Sequence, residues 1–335
     1  MIGRNVIGAG PRDISRRRAM LWGLAMSGVA GFAQASAGVT PPAPPHGPEF
    51  DIGTDEDSVD RVTAPVFVNG QGPFPFMIDT GANYSAISNE LAAQLSLPDR
   101  GPVVLNTIVG PETTGSIQAA EIRLGKKVAR DIRMASLPRR WLGAAGLIGM
   151  DQLAAQRLTL DFANATMKFG GTPAFGDTTA IVVQAQHRSG PLTLVNARIG
   201  GALVTAFLDS GADGTVGNPA LRGLMSTRLK RAAYNDIFLP SPLISPTGQQ
   251  IPGELAVLRS VSVGCMDISN LTIVFADLHT FRMWDMHEEP AFVLGVDILR
   301  RFRSVVIDFR RGEVIFRLPR DNGLAPYAGS RVRRG

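Results

Sequence analysis

Short runs in which apolar and polar residues alternate, separated by Gly, Pro and Asn, fill the chain from about residue 62 to residue 318. Such runs, bounded by turn residues, are typical of β-strands that bury one face. They occur twice in the same order, on either side of a connector at residues 173–187. The pattern therefore predicts a mostly β protein with two β-rich lobes, related by an internal repeat and accompanied by short helices.

Each half opens with a predicted hairpin. The first has strands at 66–68 and 74–78 around Asn69-Gly70, and the second has strands at 197–199 and 203–208 around Gly200-Gly201. Asn-Gly and Gly-Gly pairs favour the tight turns of two-residue hairpins. Each second strand is apolar and runs into an acidic motif, which is Asp79-Thr80-Gly81-Ala82 in the first half and Asp209-Ser210-Gly211-Ala212 in the second.

Further landmarks recur behind these motifs. Ser88 and Asn218 are N-cap residue types, and each predicts the start of a short helix. An apolar-apolar-Gly motif then appears in both halves, formed by Leu147, Ile148 and Gly149 and by Val293, Leu294 and Gly295. A closing hairpin follows in each half.

Four acids accompany these landmarks, and we interpret all four as structural, because Asp161 and Asp308 fit turn caps and Asp151 and Asp297 fit helix starts.

The first 37 residues have the pattern of an export signal. Arg16 and Arg17 precede a short apolar run from Leu21 to Phe32, and small residues at 35–37 resemble a cleavage site. The run is too short for a confident membrane span. We therefore predict a twin-arginine signal peptide, export to the periplasm or beyond, and no stable membrane span once the leader is removed. The other predicted divisions are a Pro-rich and acidic spacer at 38–60, an N-terminal lobe at 61–172, the connector, a C-terminal lobe at 188–318 and a tail at 319–335.

Charge argues against a nucleic-acid partner. The chain has 34 Lys and Arg against 29 Asp and Glu, but the leader carries five of the Arg and one Asp, which leaves 29 basic and 28 acidic residues. Since most of the basic excess belongs to the leader, the remaining charge gives no reason to expect a nucleic-acid partner, and we predict none. The single cysteine, Cys265, cannot form an intrachain disulfide, and its place after Val261 and Val263 predicts a buried structural thiol. The four histidines lack metal-ligand spacing, so we predict no metal and no cofactor.

The repeated acidic motif suggests a reaction. Hydrolysis of a peptide bond without a metal or a nucleophilic side chain needs a base for water and an acid for the scissile carbonyl. Two carboxylates that share one proton supply both functions. A repeat related by a pseudo-twofold axis brings equivalent residues together at that axis. Asp79 and Asp209 are therefore the predicted catalytic pair.

These motifs resemble those of the pepsin-like and retroviral-type aspartic proteases, which share an Asp-Thr/Ser-Gly motif and a later apolar-apolar-Gly motif. The resemblance covers about residues 62–318, and residues 209–216 are especially similar to the retroviral type. It implies the bilobed aspartic protease fold and an endopeptidase that acts on a peptide or protein as a monomer with pseudo-dimeric lobes. It further implies that Thr80 and Ser210 brace the catalytic pair, that Gly81 and Gly211 allow close approach, and that Gly149 and Gly295 lie in the loop crossed by the catalytic turn.

The same resemblance implies hairpin flaps over the site. Residues 100–122 contain no Tyr, Trp or Phe, so the first flap, placed around Gly110, lacks the aromatic residue of pepsin-like enzymes and is Gly-rich as in the retroviral type. The second is placed around Gly248. Trp141 and Trp284 precede the apolar-apolar-Gly motifs, and we expect both to pack in the core rather than to line a subsite.

Two other functions remain open at this point. One is a non-catalytic peptide-binding or scaffold protein that keeps the fold, against which the presence of both Asp79 and Asp209 argues. The other is a retaining glycosidase, whose two carboxylates stand on opposite faces of a sugar rather than sharing a proton. Nothing in the sequence favours the glycosidase.

Overall fold

The computed structural model describes residues 50–53, 55–56, 62–153, 157–171, 179–188, 192–228, 238–245, 247–319 and 332–334. The predicted leader, with Arg16 and Arg17, lies outside the described residues, as do much of the spacer, part of the connector and most of the tail. Within the ranges just given, no helix combines the length and the apolar character needed to cross a membrane.

The first half contains eleven described strands and three short helices. The strands are β1 (Phe50–Gly53), β2 (Asp55–Glu56), β3 (Val62–Val68), β4 (Gln71–Ile78), β5 (Ala86–Ser88), β6 (Asp99–Asn106), β7 (Pro111–Leu124), β8 (Lys127–Leu137), β9 (Gly146–Ile148), β10 (Arg157–Asp161) and β11 (Thr166–Phe169). The helices are α1 (Asn89–Gln94), α2 (Arg139–Leu142) and α3 (Met150–Leu153). The predicted cap is confirmed, since the hydroxyl of Ser88 accepts a hydrogen bond from Leu91 N at 3.2 Å.

The second half repeats this order. Its described strands are β12 (Ala180–Arg188), β13 (Leu192–Ile199), β14 (Ala202–Leu208), β15 (Val216–Gly217), β16 (Leu239–Pro240), β17 (Leu243–Ile244), β18 (Gln250–Ile251), β19 (Glu254–Val263), β20 (Met266–Phe275), β21 (Ala291–Leu294), β22 (Ser304–Asp308), β23 (Glu313–Arg317) and β24 (Val332–Arg334). The helices are α4 (Pro219–Arg228), α5 (His279–Met283) and α6 (Val296–Leu299). Asn218 caps α4 as predicted, because its side-chain oxygen accepts from Leu221 N at 2.8 Å.

Each lobe is a closed six-stranded barrel. In the first lobe the strands follow the order β3, β4, β9, β5, β8 and β7, and β7 pairs back with β3. In the second the order is β13, β14, β21, β15, β20 and β19, and β19 pairs back with β13. The alternating pattern produces this arrangement because every second side chain points into the barrel, away from water. The predicted bilobed, mostly β architecture is therefore confirmed.

A further sheet joins the two barrels. The closing hairpin of the first half, β10 with β11, lies beside that of the second half, β22 with β23, and β10 pairs antiparallel with β22. The side chains of Arg157 and Asp308 lie opposite each other across this junction and form an ion pair with 2.5 Å between Nη2 and Oδ2.

Asp308 also accepts from the N–H groups of Arg310 and Arg311, and Asp161 accepts from Asn164 N, so the turn-capping roles predicted for both acids are confirmed.

The prediction of a buried thiol at Cys265 is wrong, because this side chain is exposed. The inward alternation of Val261 and Val263 ends with β19, and Gly264 and Cys265 form the turn that leads into β20. Gly264 has a φ of +58°, a left-handed turn conformation that interrupts the period of two. Cys265 therefore follows the geometry of the turn rather than the pattern of the strand.

Candidate active site

The two acidic motifs form equivalent turns at the ends of equivalent strands. β4 ends at Ile78 and β14 ends at Leu208, so Asp79 and Asp209 are the first residues beyond their strands. In the first turn, Oδ1 of Asp79 accepts hydrogen bonds from Gly81 N at 2.8 Å and Ala82 N at 2.9 Å. In the second, Oδ1 of Asp209 accepts from the N–H groups of Gly211 at 2.8 Å and Ala212 at 3.2 Å. Each carboxylate is thus oriented by its own turn.

Hydroxyl groups connect the two turns. Thr80 Oγ1 donates to Leu208 O at 3.2 Å and accepts from Ser210 N at 3.0 Å. Ser210 Oγ donates to Ile78 O at 2.8 Å and accepts from Thr80 N at 3.2 Å. The four bonds are related by the pseudo-twofold axis and are all buried. They hold the strand ends that carry the two aspartates against each other.

The glycines after these hydroxyl residues bring the two carboxylates together. A Cβ atom added to Gly81 would lie 2.3 Å from Oδ2 of Asp209, and one added to Gly211 would lie 2.2 Å from Oδ2 of Asp79. Any side chain at either position would therefore displace the aspartate of the other lobe. Each carboxylate lies directly against the glycine of the opposite turn, and the two acids are neighbours although 130 positions separate them in the sequence.

The aspartates are enclosed, with 1 % of Asp79 and 0 % of Asp209 exposed to solvent. Burial and the nearby carboxylate of Asp79 raise the pKa of Asp209 well above its usual range, although the N–H groups of Gly211 and Ala212 oppose this shift. Two like charges this close do not both ionise readily, which favours the neutral form of one of the two acids. This is the electrostatic condition under which one carboxyl can act as an acid while the other acts as a base.

The apolar-apolar-Gly motifs pass beneath the turns. Leu147 and Ile148 end β9 and Val293 and Leu294 end β21, and each of these strands runs parallel to the strand that carries the aspartate of its lobe. A Cβ atom on Gly149 would lie 2.7 Å from the carbonyl of Tyr84, and one on Gly295 would lie 2.7 Å from the carbonyl of Gly214. The turn that carries the aspartate of each lobe crosses directly over this glycine, as the sequence resemblance implies.

The hairpin predicted to be the first flap is formed by β6 and β7, which pair from Asn106 and Pro111 outward, and its tip contains Gly110. The tip is closed by a bond from Thr107 N to Gly110 O at 2.7 Å. Ile108 at this tip is fully buried in an apolar cluster that includes Leu278, Phe281 and Trp284 of the second lobe. His279 N also donates to Ile108 O at 2.8 Å. The first hairpin is therefore anchored on the opposite lobe.

The second hairpin is formed by β17 and β18, and Gly248 lies at its tip with a φ of +89°. A Cβ atom here would lie 2.6 Å from Cε2 of Trp141, on helix α2 of the first lobe. Each hairpin tip therefore meets the helix that precedes the apolar-apolar-Gly strand of the other lobe. Glu112 links the two hairpins, since its carboxylate accepts from Thr247 Oγ1 at 2.6 Å and from the side-chain amide of Gln249.

The two tryptophans differ from each other. Trp284 packs in the core as predicted, with its ring centroid 4.4 Å from that of Phe207. The same prediction is wrong for Trp141, which is 36 % exposed. Trp141 lies on a helix of only four residues at the rim of the first lobe, so its ring covers the tip of the second hairpin rather than the barrel interior.

Sequence reasoning missed several residues that the structure brings to the site. Nothing in the sequence marks Glu112 and Ile108 as site residues, because the hairpin that contains them is recognised only by Gly110. Ser85 and Thr215 did carry a signal, because each is the sixth residue after the aspartate of its acidic motif in the two copies of the repeat. No group of three or more His, Cys, Asp or Glu suited to a metal ion occurs among the residues that the structure describes.

One comparison with known proteins bears on this geometry. Residues 64–155 match the family model described as "gag-polyprotein putative aspartyl protease". The matched segment begins in β3 and ends just behind α3, so it contains Asp79, the first hairpin and Gly149. No curated protein is similar enough to the chain to count as a match. Taken with the two barrels, the family match supports the bilobed, β-rich fold of aspartic proteases and a similarity to the retroviral type.

Proposed function

We propose that the chain is an aspartic endopeptidase whose dyad consists of Asp79 and Asp209, one from each lobe. The observation that carries the proposal is the mutual placement of these acids, each packed against the glycine of the other turn and enclosed from solvent. The raised pKa of Asp209 supports retention of one proton at the working pH. The family match supports a peptide as the substrate class.

In the proposed reaction, the ionised carboxylate takes a proton from a water molecule as its oxygen attacks the scissile carbonyl carbon. The protonated carboxyl gives its proton to the carbonyl oxygen, and a neutral gem-diol results. One hydroxyl of the diol then returns a proton to a carboxylate, the amide nitrogen receives a proton from the other carboxyl, and the C–N bond breaks. The products are a carboxylic acid and an amine, and the dyad again holds one proton.

The two hairpins give this site its cover. A substrate peptide would lie between the dyad and the hairpin tips, so the contacts at Ile108 and Glu112 would open for entry and close again over the bound chain. Closure excludes water and strengthens electrostatic interactions at the dyad. The anchored first hairpin and its link to the second support a resting state that is closed.

The test uses a labelled peptide library with the purified chain. The parent is expected to cleave internal peptide bonds, and Asp79→Asn or Asp209→Asn is expected to abolish cleavage while the fold is retained. Asp161→Asn is the matched control, because it changes a turn-capping aspartate that belongs to neither acidic motif. Substantial cleavage by either dyad variant would refute the assignment, and peptide binding without cleavage by the parent would favour the non-catalytic binding protein.

We also propose that residues 1–37 direct export through a twin-arginine route and that the exported chain acts as a monomer. The leader sequence around Arg16 and Arg17 supports the first statement, and the presence of both aspartates in one chain supports the second. Replacing Arg16 and Arg17 together by Lys is expected to retain the protein in the cytoplasm of a Gram-negative host. Export that continues unchanged in this variant would contradict the route, and activity that requires a dimer in sedimentation would contradict the monomer.

A further inference from the structure

Two buried hydroxyl groups occupy equivalent places behind the dyad. Ser85 and Thr215 are 1 % and 2 % exposed, and they stand at the same distance in sequence from Asp79 and Asp209. A buried hydroxyl has one proton to donate and lone pairs that can accept. Leaving such a group without hydrogen bonds costs free energy. Where their hydrogen bonds go is therefore informative.

In the first lobe, Ser85 Oγ donates to Oδ1 of Asp151 at 2.9 Å and accepts from Gly149 N at 3.1 Å. In the second lobe, Thr215 Oγ1 donates to Oδ1 of Asp297 at 3.0 Å and accepts from Gly295 N at 3.3 Å. The acid, the hydroxyl and the glycine thus form the same relay twice. Because each hydroxyl donates its one proton to the acid, only its lone pairs remain to face the glycine N–H.

The glycine N–H belongs to a peptide plane whose carbonyl makes a second hydrogen bond. The carbonyl of that plane in the first lobe is Ile148 O, which accepts from Asp79 N at 3.0 Å. The carbonyl of the equivalent plane in the second lobe is Leu294 O, which accepts from Asp209 N at 3.1 Å. A peptide unit is planar and rigid, so a bond that fixes its N–H also fixes the direction of its carbonyl. Each relay therefore reaches the backbone of a dyad aspartate through one rigid unit.

The following residues tie down the other end of each turn. Met150 N donates to Ala82 O at 2.6 Å, and Val296 N donates to Ala212 O at 2.8 Å. Ala82 and Ala212, like Gly81 and Gly211, donate their own N–H groups to the aspartate carboxylates. The loop of the apolar-apolar-Gly motif consequently holds both the first and the last residue of each catalytic turn.

The residues next to the relay differ between the two halves, whereas the groups that form the relay are the same. Between the dyad motif and the hydroxyl, the first half has Asn83-Tyr84 and the second has Asp213-Gly214. The hydroxyl, the acid and the glycine are present in both. Helices α3 and α6 have four residues each, so an acid that served only as a helix start would have little dipole to interact with. The interpretation of Asp151 and Asp297 as helix-start acids is therefore incomplete.

We propose that Ser85 with Asp151, and Thr215 with Asp297, are positioning pairs that set the orientation of the dyad through the peptide planes preceding Gly149 and Gly295. The proposal rests on the proposed function of the same site. Neither pair touches substrate. Each acts by holding a carbonyl that orients the aspartate of its lobe, and losing a pair lets that aspartate move relative to its partner.

The experiment measures kcat, KM and the pH profile for one peptide in Ser85→Ala, Thr215→Val and Asp151→Ala. We expect kcat to fall about 10-fold with KM little changed, because small displacements of reacting groups are costly in the transition state. At least one limb of the pH profile should also move, since the coupling between the two carboxylates depends on their separation.

Ser85→Thr and Asp151→Asn keep the hydroxyl and the acceptor oxygen and should restore the parent values. Asp151 is exposed, so its variants test the relay even if Ser85→Ala fails to fold.

Ser88→Ala is the matched control. It removes another buried hydroxyl of the first lobe, one that caps helix α1 and makes no bond to the dyad loops. It should lower the melting temperature without moving the pH limbs. If the relay variants behave in the same way, with kcat and both limbs unchanged, the positioning role is refuted and a structural one remains.

A readout that needs no turnover separates this inference from the proposed function. The pH dependence of thermal unfolding reports the titration of Asp209, and comparison with Asp209→Asn isolates its contribution. We expect that contribution to shift in pH in Ser85→Ala and Thr215→Val. A parent that cleaves nothing would refute the proposed function, whereas an unshifted contribution would refute the positioning pairs whether or not the parent cleaves.

Discussion

Thr80 and Ser210 exchange hydrogen bonds reciprocally across the pseudo-twofold axis. Each hydroxyl accepts the N–H of the other residue and donates to the carbonyl that precedes the aspartate of the other lobe. Both residues are enclosed, with 2 % and 0 % exposure. The two barrels are thus joined at the dyad by bonds that water cannot replace in the folded state.

Replacing Ser210 by Ala is expected to destabilise the protein. The change leaves Ile78 O without its donor and Thr80 N without its acceptor, and buried groups left unsatisfied cost about 1–3 kcal/mol each. Urea denaturation would measure the loss in the free energy of unfolding. Ser210→Thr keeps the hydroxyl and serves as the control. A Ser210→Ala variant as stable as the parent would show that the reciprocal bonds contribute nothing.

Asp209→Asn is expected to raise stability at neutral pH while abolishing activity. The pKa of Asp209 is raised in the folded state, so the native protein binds the proton more tightly than the unfolded chain does. The free energy of unfolding of the parent therefore falls as the pH rises from about 4 through the folded pKa. An amide cannot ionise, so the variant lacks this loss and should melt a few degrees higher at pH 7, with a much smaller difference below about pH 4.

Melting curves at several pH values check this prediction, with Asp161→Asn as the control for a carboxyl outside the dyad. A variant that melts below the parent at neutral pH would contradict the sign, because the cost of the buried charge would then be outweighed by interactions that the amide cannot make.

The pH optimum of cleavage is expected to be mildly acidic, at about pH 4–6.5. Pepsin-like enzymes usually carry a Ser or Thr where Ala82 and Ala212 stand, and a hydroxyl that donates to the ionised carboxylate lowers its pKa. Here the only donors that these two residues offer to Oδ1 are their backbone N–H groups. Ala82→Ser with Ala212→Ser should therefore shift the acidic limb to lower pH.

The measurement is kcat/KM against pH for one uncharged peptide. Cys at both positions is a control of similar size that donates only weakly. A parent optimum below about pH 3, or an upward shift in the double Ser variant, would show that the absent hydroxyls do not govern the profile.

Gly248→Ala is expected to lower turnover by preventing closure of the second hairpin. The added Cβ would lie 2.6 Å from Cε2 of Trp141, so the Trp141 ring has to move away from the hairpin tip that it covers. Gly201→Ala is the matched control, because Gly201 has a similar φ of +85° and nothing lies within 4 Å of its added Cβ. Both variants carry the same backbone strain of about 1 kcal/mol, but only the first disturbs the hairpin.

Steady-state turnover and melting temperature together separate the loss of hairpin closure from the backbone strain. Equal turnover in Gly248→Ala and Gly201→Ala would place the closing segment elsewhere. Gly110→Val offers a second test, since nothing lies within 4 Å of an added Cβ there, yet the φ of +150° at this tip suits glycine. It should also lower turnover without unfolding the protein.

Local patterns were sufficient for the repeat and its elements. Alternation identified the strands, Asn69-Gly70 and Gly200-Gly201 identified the hairpin turns, and Ser88 and Asn218 identified the helix starts, because each depends on residues close in sequence. The same local logic failed at Cys265, where a turn replaced the strand, and at Trp141, where a short helix placed an aromatic ring at the rim. A period of two does not state where a strand ends.

The sequence by itself determined that two equivalent turns exist, each with an aspartate, a hydroxyl and a glycine, since a repeat is visible in the residue order alone. Only the tertiary structure decided which groups meet across the axis: Gly81 against Asp209, Ile108 in the opposite lobe, and Glu112 between the hairpins. Ser85 and Asp151 also met only on folding. These contacts join residues dozens to more than a hundred positions apart, and their partners depend on how the barrels close and pack, which no short window of sequence specifies.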